Sequence, residues 1–210
     1  MDVDFWHQKW KNNEIGFHLS EVNSLLVKYI GELSLVKGNR IFVPLCGKTL
    51  DIAWLLSEGY CVVGAELSED AIKQLFEKLD IEPQVSKPAG MTLYSANGID
   101  IFVGNIFDLS GENLGVVDAI YDRAALVALP EAIRTQYTLH VLKITLAAPQ
   151  LLISYEYNQN LMSGPPFSVC NEEVKQHYKD HYSLALLENM NIPDGLKGKY
   201  AAQESVWLLK

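Results

Sequence analysis

At 210 residues, 49% hydrophobic and 20% charged, the chain can bury one sizeable core and is too short for two full domains. Its net charge of −9 opposes a polyanion, no Lys/Arg cluster offers a local exception, and no apolar run nears the roughly 18 residues that span a bilayer, so neither nucleic acid nor a membrane is an expected partner. Three widely spaced cysteines, Cys46, Cys61 and Cys170, make neither a disulfide framework nor a CxxC metal site, and the opening MDVDFWHQKW has acids where a secretory signal has bases and then an apolar stretch; a cytosolic, metal-free monomer is expected.

Residues 1–35 fall outside any strand pattern yet contain Phe5, Trp6, Trp10, Phe17 and His18, too aromatic for a free tail. From residue 40 onward short β-branched or apolar runs alternate with amphipathic stretches, which predicts an α/β domain with a parallel sheet. Residues 40–45 (RIFVPL) read as the first strand and 50–58 as the helix after it, ended by Gly59; 61–67 (CVVGAEL) read as the second strand. Ser68 is a suitable N-cap for the next helix, with Glu69 and Asp70 in the first turn where the helix dipole favours acids. Further strands are predicted at 99–103, 117–121 and 151–155, with a helix at 131–145 before the last of these. The segments 183–188 and 205–209 close the sheet as a hairpin, the second as an antiparallel edge.

Ligands of such sheets bind beyond the carboxyl ends of the strands, so the loops there are where chemistry is expected. The first, Pro44-Leu45-Cys46-Gly47-Lys48-Thr49, lacks the glycines of a GxGxxG or a phosphate loop and disfavours a pyrophosphate. Its one glycine still allows a tight turn beside an uncharged linker such as the methionyl part of S-adenosylmethionine. Glu66, about 20 residues on, stands where an acid reaches the ribose hydroxyls of a nucleoside, and could accept from both at once. On their own, these residues leave an NAD-dependent dehydrogenase and a non-catalytic nucleoside sensor open.

Whole strings narrow the choice. Val43-Pro44-Leu45-Cys46-Gly47-Lys48, Val63-Gly64-Ala65-Glu66-Leu67-Ser68, Asp122-Arg123-Ala124-Ala125-Leu126-Val127-Ala128-Leu129 and Gly164-Pro165-Pro166-Phe167, together with Trp6, Trp10 and Phe17-His18 near the start, resemble the thiopurine S-methyltransferases in the same order over nearly the whole chain. The resemblance implies the class I methyltransferase fold: one domain over 1–210, a doubly wound, mostly parallel seven-stranded sheet with helices on both faces and an antiparallel last strand, and a helical lid within 1–35. It implies S-adenosylmethionine as cofactor, held by Trp10, Leu45, Glu66, Ile106 and Arg123, and Phe17 at the substrate mouth. The acceptor it implies is a small aromatic or heterocyclic thiol, with halide, thiocyanate, sulfide or selenium and tellurium species as the neighbouring alternatives.

Each residue also has a plainer reading. Arg123 could pair with Asp122 or Glu66, Trp10 could be a core aromatic, His18 a pocket wall and Cys46 a small buried hydrophobe. Methyl transfer from a sulfonium is an in-line displacement with an activated donor, so positioning dominates and no general base is assigned. An aromatic thiol ionises more readily than an alkyl thiol, whose pKa is about 8.5, and Arg123 is the cation expected to favour the thiolate.

Overall fold

The run Arg40–Pro44 forms β1, buried at four consecutive positions as a strand covered on both faces must be. The structure is a computed structural model and describes residues 3–12, 14 and 18–210. β1 pairs in parallel with β2 (Cys61–Glu66) on one side and β6 (Ala119–Arg123) on the other, β2 pairs with β5 (Ile99–Val103), and β6 pairs with β7 (Gln150–Tyr157). The remaining strands are antiparallel to their neighbours, and the sheet order is β3-β4-β5-β2-β1-β6-β7-β9-β8.

The seven expected strands are present, with two more at one edge, β3 (Gln84–Ser86) and β4 (Thr92–Ala96). β3 is exposed at every position and has no apolar pattern to announce it. β4 does have a signal: Asn97-Gly98 lies between Ala96 and its partner Ile99, with Gly98 at φ 79°, the turn chemistry of a two-residue hairpin. The closing hairpin also differs. β9 (Ala202–Leu209) lies inside the sheet between β7 and β8 (Leu184–Asn191), and β8 is the edge. The reason is burial: β9 is buried at its last five positions, so both its faces are covered, whereas β8 is half open along its length. β6 begins two residues later than expected, which brings Asp122 and Arg123 into the strand instead of after it.

Helices cover both faces. On one, α2 (Ser24–Tyr29), α3 (Leu50–Ser57) and α4 (Glu69–Leu79) bury Leu26, Ile52, Leu55 and Phe76 against Ile41, Val43, Tyr121 and Val206 of the sheet. On the other, α5 (Gly111–Leu114), α6 (Glu131–Thr145) and α7 (Asn171–Tyr178) bury Leu114, Tyr137 and Tyr178 against Phe42, Phe102, Leu152 and Trp207. Caps fix the helix starts that face the site: Ser68 Oγ accepts from Ala71 N–H at 3.2 Å, and Thr49 Oγ1 accepts from Asp51 N–H at 3.3 Å. The arm includes α1 (Val3–Lys11) ahead of α2. No helix among the described residues is long and apolar enough to cross a membrane.

Candidate active site

The loop after β1 turns through two residues of positive φ, Leu45 at 45° and Gly47 at 53°. For leucine this conformation costs of order 1–3 kcal/mol, and such strain collects where a ligand must be met. The turn is seated on β2 at Gly64, where an added Cβ would lie 2.7 Å from Ile101 Cδ1 and 2.9 Å from Cys46 Sγ, so only glycine lets Cys46 pack this close. Cys46 is thereby buried, and burial pushes its thiol well above the usual range: it is a small hydrophobe and not a nucleophile.

Beside this turn, at the end of β2, stands Glu66, 6% exposed. Its Oε2 accepts from Gly47 N–H at 2.8 Å, and its Oε1 accepts from Leu67 N–H at 2.8 Å and Ser68 N–H at 2.9 Å. Burial raises the carboxyl above its ordinary range, and these three donors pull against that rise. A carboxylate has about four lone-pair positions, so three bonds leave one, on Oε2. One ribose hydroxyl can be accepted there directly instead of the two expected from sequence.

Glu66, Leu45, Trp10 and Arg123 all line one cavity of about 730 Å³ above the carboxyl ends of the parallel strands. Trp10 reaches it from α1, and Lys48 Nζ lies 6.0 Å from its ring centroid while bonding Gln74 Oε1 at 2.6 Å. His18 is also on the wall; burial first, and then the cations Lys48, Lys78 and Arg123, lower its pKa and favour the neutral ring. Phe17 lies outside the described residues. Ile106 begins a short 3-10 turn after β5, packs in the core at 1% exposure, and is not on the cavity wall; its carbonyl accepts from His140 Nε2 at 2.8 Å.

Arg123 closes the cavity floor. Asp122, its neighbour, points to the other face, where it is fully buried, accepts from Tyr137 OH at 2.7 Å and from Leu126 N–H at 3.1 Å, and is pushed by burial up to about 6. Arg123 instead lines the cavity with Tyr155 and Glu204, close enough for its charge to act on both. Register explains this. Arg123 is level with Ile153 on β7, Tyr155 is two residues further on the same face, and Glu204 on β9 is directly opposite Tyr155. The Gly164-Pro165-Pro166 wall is held by its following residue, Phe167 N–H donating to Val127 carbonyl at 2.6 Å.

The family model described as thiopurine S-methyltransferase matches residues 1–210. The chain belongs to the thiopurine S-methyltransferase family. Among its relatives, the thiopurine S-methyltransferase of Xanthobacter autotrophicus is 50% identical over 100% of this chain and 99% of its own, and that of Teredinibacter turnerae is 52% identical over 100% and 97%. Among solved structures, magnesium protoporphyrin IX methyltransferase from Synechocystis with bound S-adenosylhomocysteine superposes with a TM-score of 0.67, covering 99% of this chain and 97% of its own; at 12% identity it shows the class I methyltransferase fold alone. The protein is therefore an S-adenosylmethionine-dependent methyltransferase.

Several wall residues of this family member were not legible as site residues. Tyr155 is the last residue of an expected strand and carried no motif. Glu204 escapes the rule that sites lie at strand carboxyl ends, because β9 runs antiparallel and brings its beginning, not its end, to that edge. Asp51 and Tyr121 read as an ordinary helix start and strand core, yet Asp51, 1% exposed, accepts from Asn23 N–H at 2.8 Å and from Tyr121 OH at 3.0 Å, tying the start of α2 to the central sheet beneath the cavity.

Proposed function

We propose that the protein moves the methyl group of S-adenosylmethionine to the sulfur of a small aromatic or heterocyclic thiol, acting as a cytosolic monomer whose whole chain is one domain with 1–35 as its covering arm. The observation that carries this reading is the convergence on one cavity of the strained β1 turn, the open lone pair of Glu66 and the Arg123 guanidinium. The cavity fits the cofactor: one polar acceptor, Glu66 Oε2, seated directly on the glycine turn, Trp10 as an aromatic wall favourable to a sulfonium, and no cradle of glycines for a pyrophosphate. When bound, S-adenosylmethionine supplies a methyl carbon already activated by the sulfonium charge.

The chain's own residues hold and shield. Glu66 accepts a ribose hydroxyl, Leu45 and Trp10 pack on the cofactor, and the turn at Gly104, two residues before Ile106, lies beside Glu66, since Gly104 N–H donates to the Glu66 carbonyl at 2.9 Å. Arg123 favours an acceptor in its thiolate form. The proline wall gives the acceptor a fixed surface. Three free cysteines support a reducing compartment, and large exposed apolar side chains that stand apart in sequence, such as Val36, Val85 and Leu146, support a monomer.

Calorimetry tests the cofactor. The expected result is micromolar binding of S-adenosylmethionine and S-adenosylhomocysteine and no measurable binding of NAD; tight NAD binding with none for the methyl donor rejects the reading. A competition panel of aromatic thiols, halides, thiocyanate and sulfide, with labelled methyl donor and product identification, then separates the thiol acceptor from its alternatives.

Glu66→Ala should weaken cofactor binding by roughly 1.5–3 kcal/mol, the range for hydrogen bonds to a charged acceptor. It should also lower stability by about 1–3 kcal/mol, because three backbone N–H groups lose their buried acceptor. A binding titration and a denaturant midpoint measure the two separately. An unchanged dissociation constant with reduced stability would leave Glu66 a purely structural carboxylate.

A further inference from the structure

Five carboxylates of the described residues line the cavity: Glu14, Glu21, Asp51, Glu66 and Glu204. Four are committed or remote. Asp51 is buried with one oxygen on Asn23 N–H and the other on Tyr121 OH, and Glu66 is buried under three backbone donors. Glu14 and Glu21 are exposed on the arm, and Glu14 is tied to Lys9 and Asn12. Glu204 differs from all of them. It is half-buried, it lies directly opposite Tyr155 on the neighbouring strand, and it lines the cavity beside Tyr155 and Arg123 with most of its lone pairs left for a ligand.

We propose that Glu204 accepts the proton of the methyl acceptor, a thiol or the thione form of a heterocycle, so that the sulfur attacks as an anion. The inference rests on the reading of the protein as a thiol methyltransferase and supplies the base that sequence could not name. In the step, the proton leaves the acceptor's S–H or ring N–H for an oxygen of Glu204. The sulfur's electron pair forms the new bond to the methyl carbon, and the pair of the broken carbon–sulfur bond stays on the donor sulfur. Water takes the proton from Glu204 after release.

The groups facing Glu204 make the transfer feasible. Arg123 from β6 carries the compensating charge, and as the proton moves the negative charge passes from carboxylate to sulfur, both near the same guanidinium. Tyr155 from β7, pushed by burial to about 12, stays a donor throughout. Glu188 from β8 adds a like charge, though it is itself held by Lys28 and Tyr29; Lys197, from the turn between β8 and β9, faces the same cavity. Burial raises Glu204 above the ordinary carboxylate range, towards the lower pKa of an aromatic thiol, which narrows the gap between proton donor and acceptor.

The test compares two acceptors in wild type, Glu204→Gln and His18→Gln: a nitro-substituted aryl thiol ionised at the assay pH, and a benzylic thiol protonated there. Glu204→Gln should lower kcat/KM for the protonated thiol by roughly 10²-fold or more, the usual worth of a positioned base, and change the ionised thiol only a few-fold. Equal loss on both would make Glu204 a positioning residue for Arg123 and overturn the proposal, as would selective loss in His18→Gln in its place. A second readout needs no turnover. With S-adenosylhomocysteine bound, an unsubstituted aryl thiol below its solution pKa should show thiolate absorbance in wild type and thiol absorbance in Glu204→Gln; thiolate absorbance in both overturns the proposal. A wild-type protein that methylates neither thiol removes the thiol reading and this inference together, whereas methylation of both thiols with an unaltered Glu204→Gln ratio removes this inference alone.

Discussion

Deleting residues 1–18 should abolish turnover while leaving the sheet folded. The cut falls before Asn23, whose side chain accepts from Leu25 and Leu26 N–H at 2.9 and 3.2 Å and whose own N–H reaches Asp51, so α2 keeps both its cap and its tie to the central sheet. Among the described residues, none of the nine strands and none of the three core clusters loses a residue. What is lost is the cover: Trp6 and Trp10 line the cavity from α1, a nine-residue helix that would be marginal alone in water. The Lys48 ammonium over the Trp10 ring links α1 to the body at its surface, and no described residue of α1 belongs to a core cluster. A segment of that kind belongs to the low-stability end of the molecule, and a ligand that binds its closed form shifts the population toward it. Cofactor should therefore protect the backbone of the 6–17 segment from hydrogen exchange, and the chain from proteolysis after Lys9 and Lys11. High protection with or without ligand would make α1 a permanent structural helix. A truncated protein that methylates thiols at the normal rate would remove Trp10 and Phe17 from the site.

Arg123→Lys should cut activity by more than tenfold although the charge is kept. The guanidinium is a planar fork able to meet a ligand at two points and fixed angles beside Tyr155 and Glu204, and an ammonium on a flexible stem is a point charge that cannot. The site around it is rigid: β6 is buried up to Asp122, and Ala124 follows at φ 64°, so the backbone leaves the sheet immediately after the arginine. Arg123→Ala should lose the charge as well, leaving Glu204 without its compensating cation. The measurement is kcat and KM for thiol and cofactor in both variants, beside a thermal melt. Full activity in Arg123→Lys with loss in Arg123→Ala would keep the electrostatic role and reject the orienting one.

Read as sequence, the chain disclosed whatever is local or periodic. The buried parallel strands are continuous β-branched runs, Ser68 and the acids after it mark a helix start, and Gly59 marks a helix end; these follow from short-range sterics and burial on both faces, which the residues themselves encode. The strings around Gly47, Glu66 and Arg123 are likewise contiguous, which is why the family and the cofactor are legible in the sequence. Tertiary structure decided what depends on pairing across the sheet. β9 lies inside β8 because it is buried on both faces and its backbone groups, away from water, must be paired along both edges, and that insertion carries Glu204 to the cavity from a direction no motif indicates. Register set Arg123 against Tyr155 and Glu204 instead of Asp122 or Glu66, since alternate residues of a strand point to opposite faces and Asp122 belongs to the other core. Packing likewise put Ile106 in the core, off the cavity wall, and spent three lone pairs of Glu66 on backbone donors, because a carboxylate buried at a strand end must satisfy the turn beside it before it can serve a ligand.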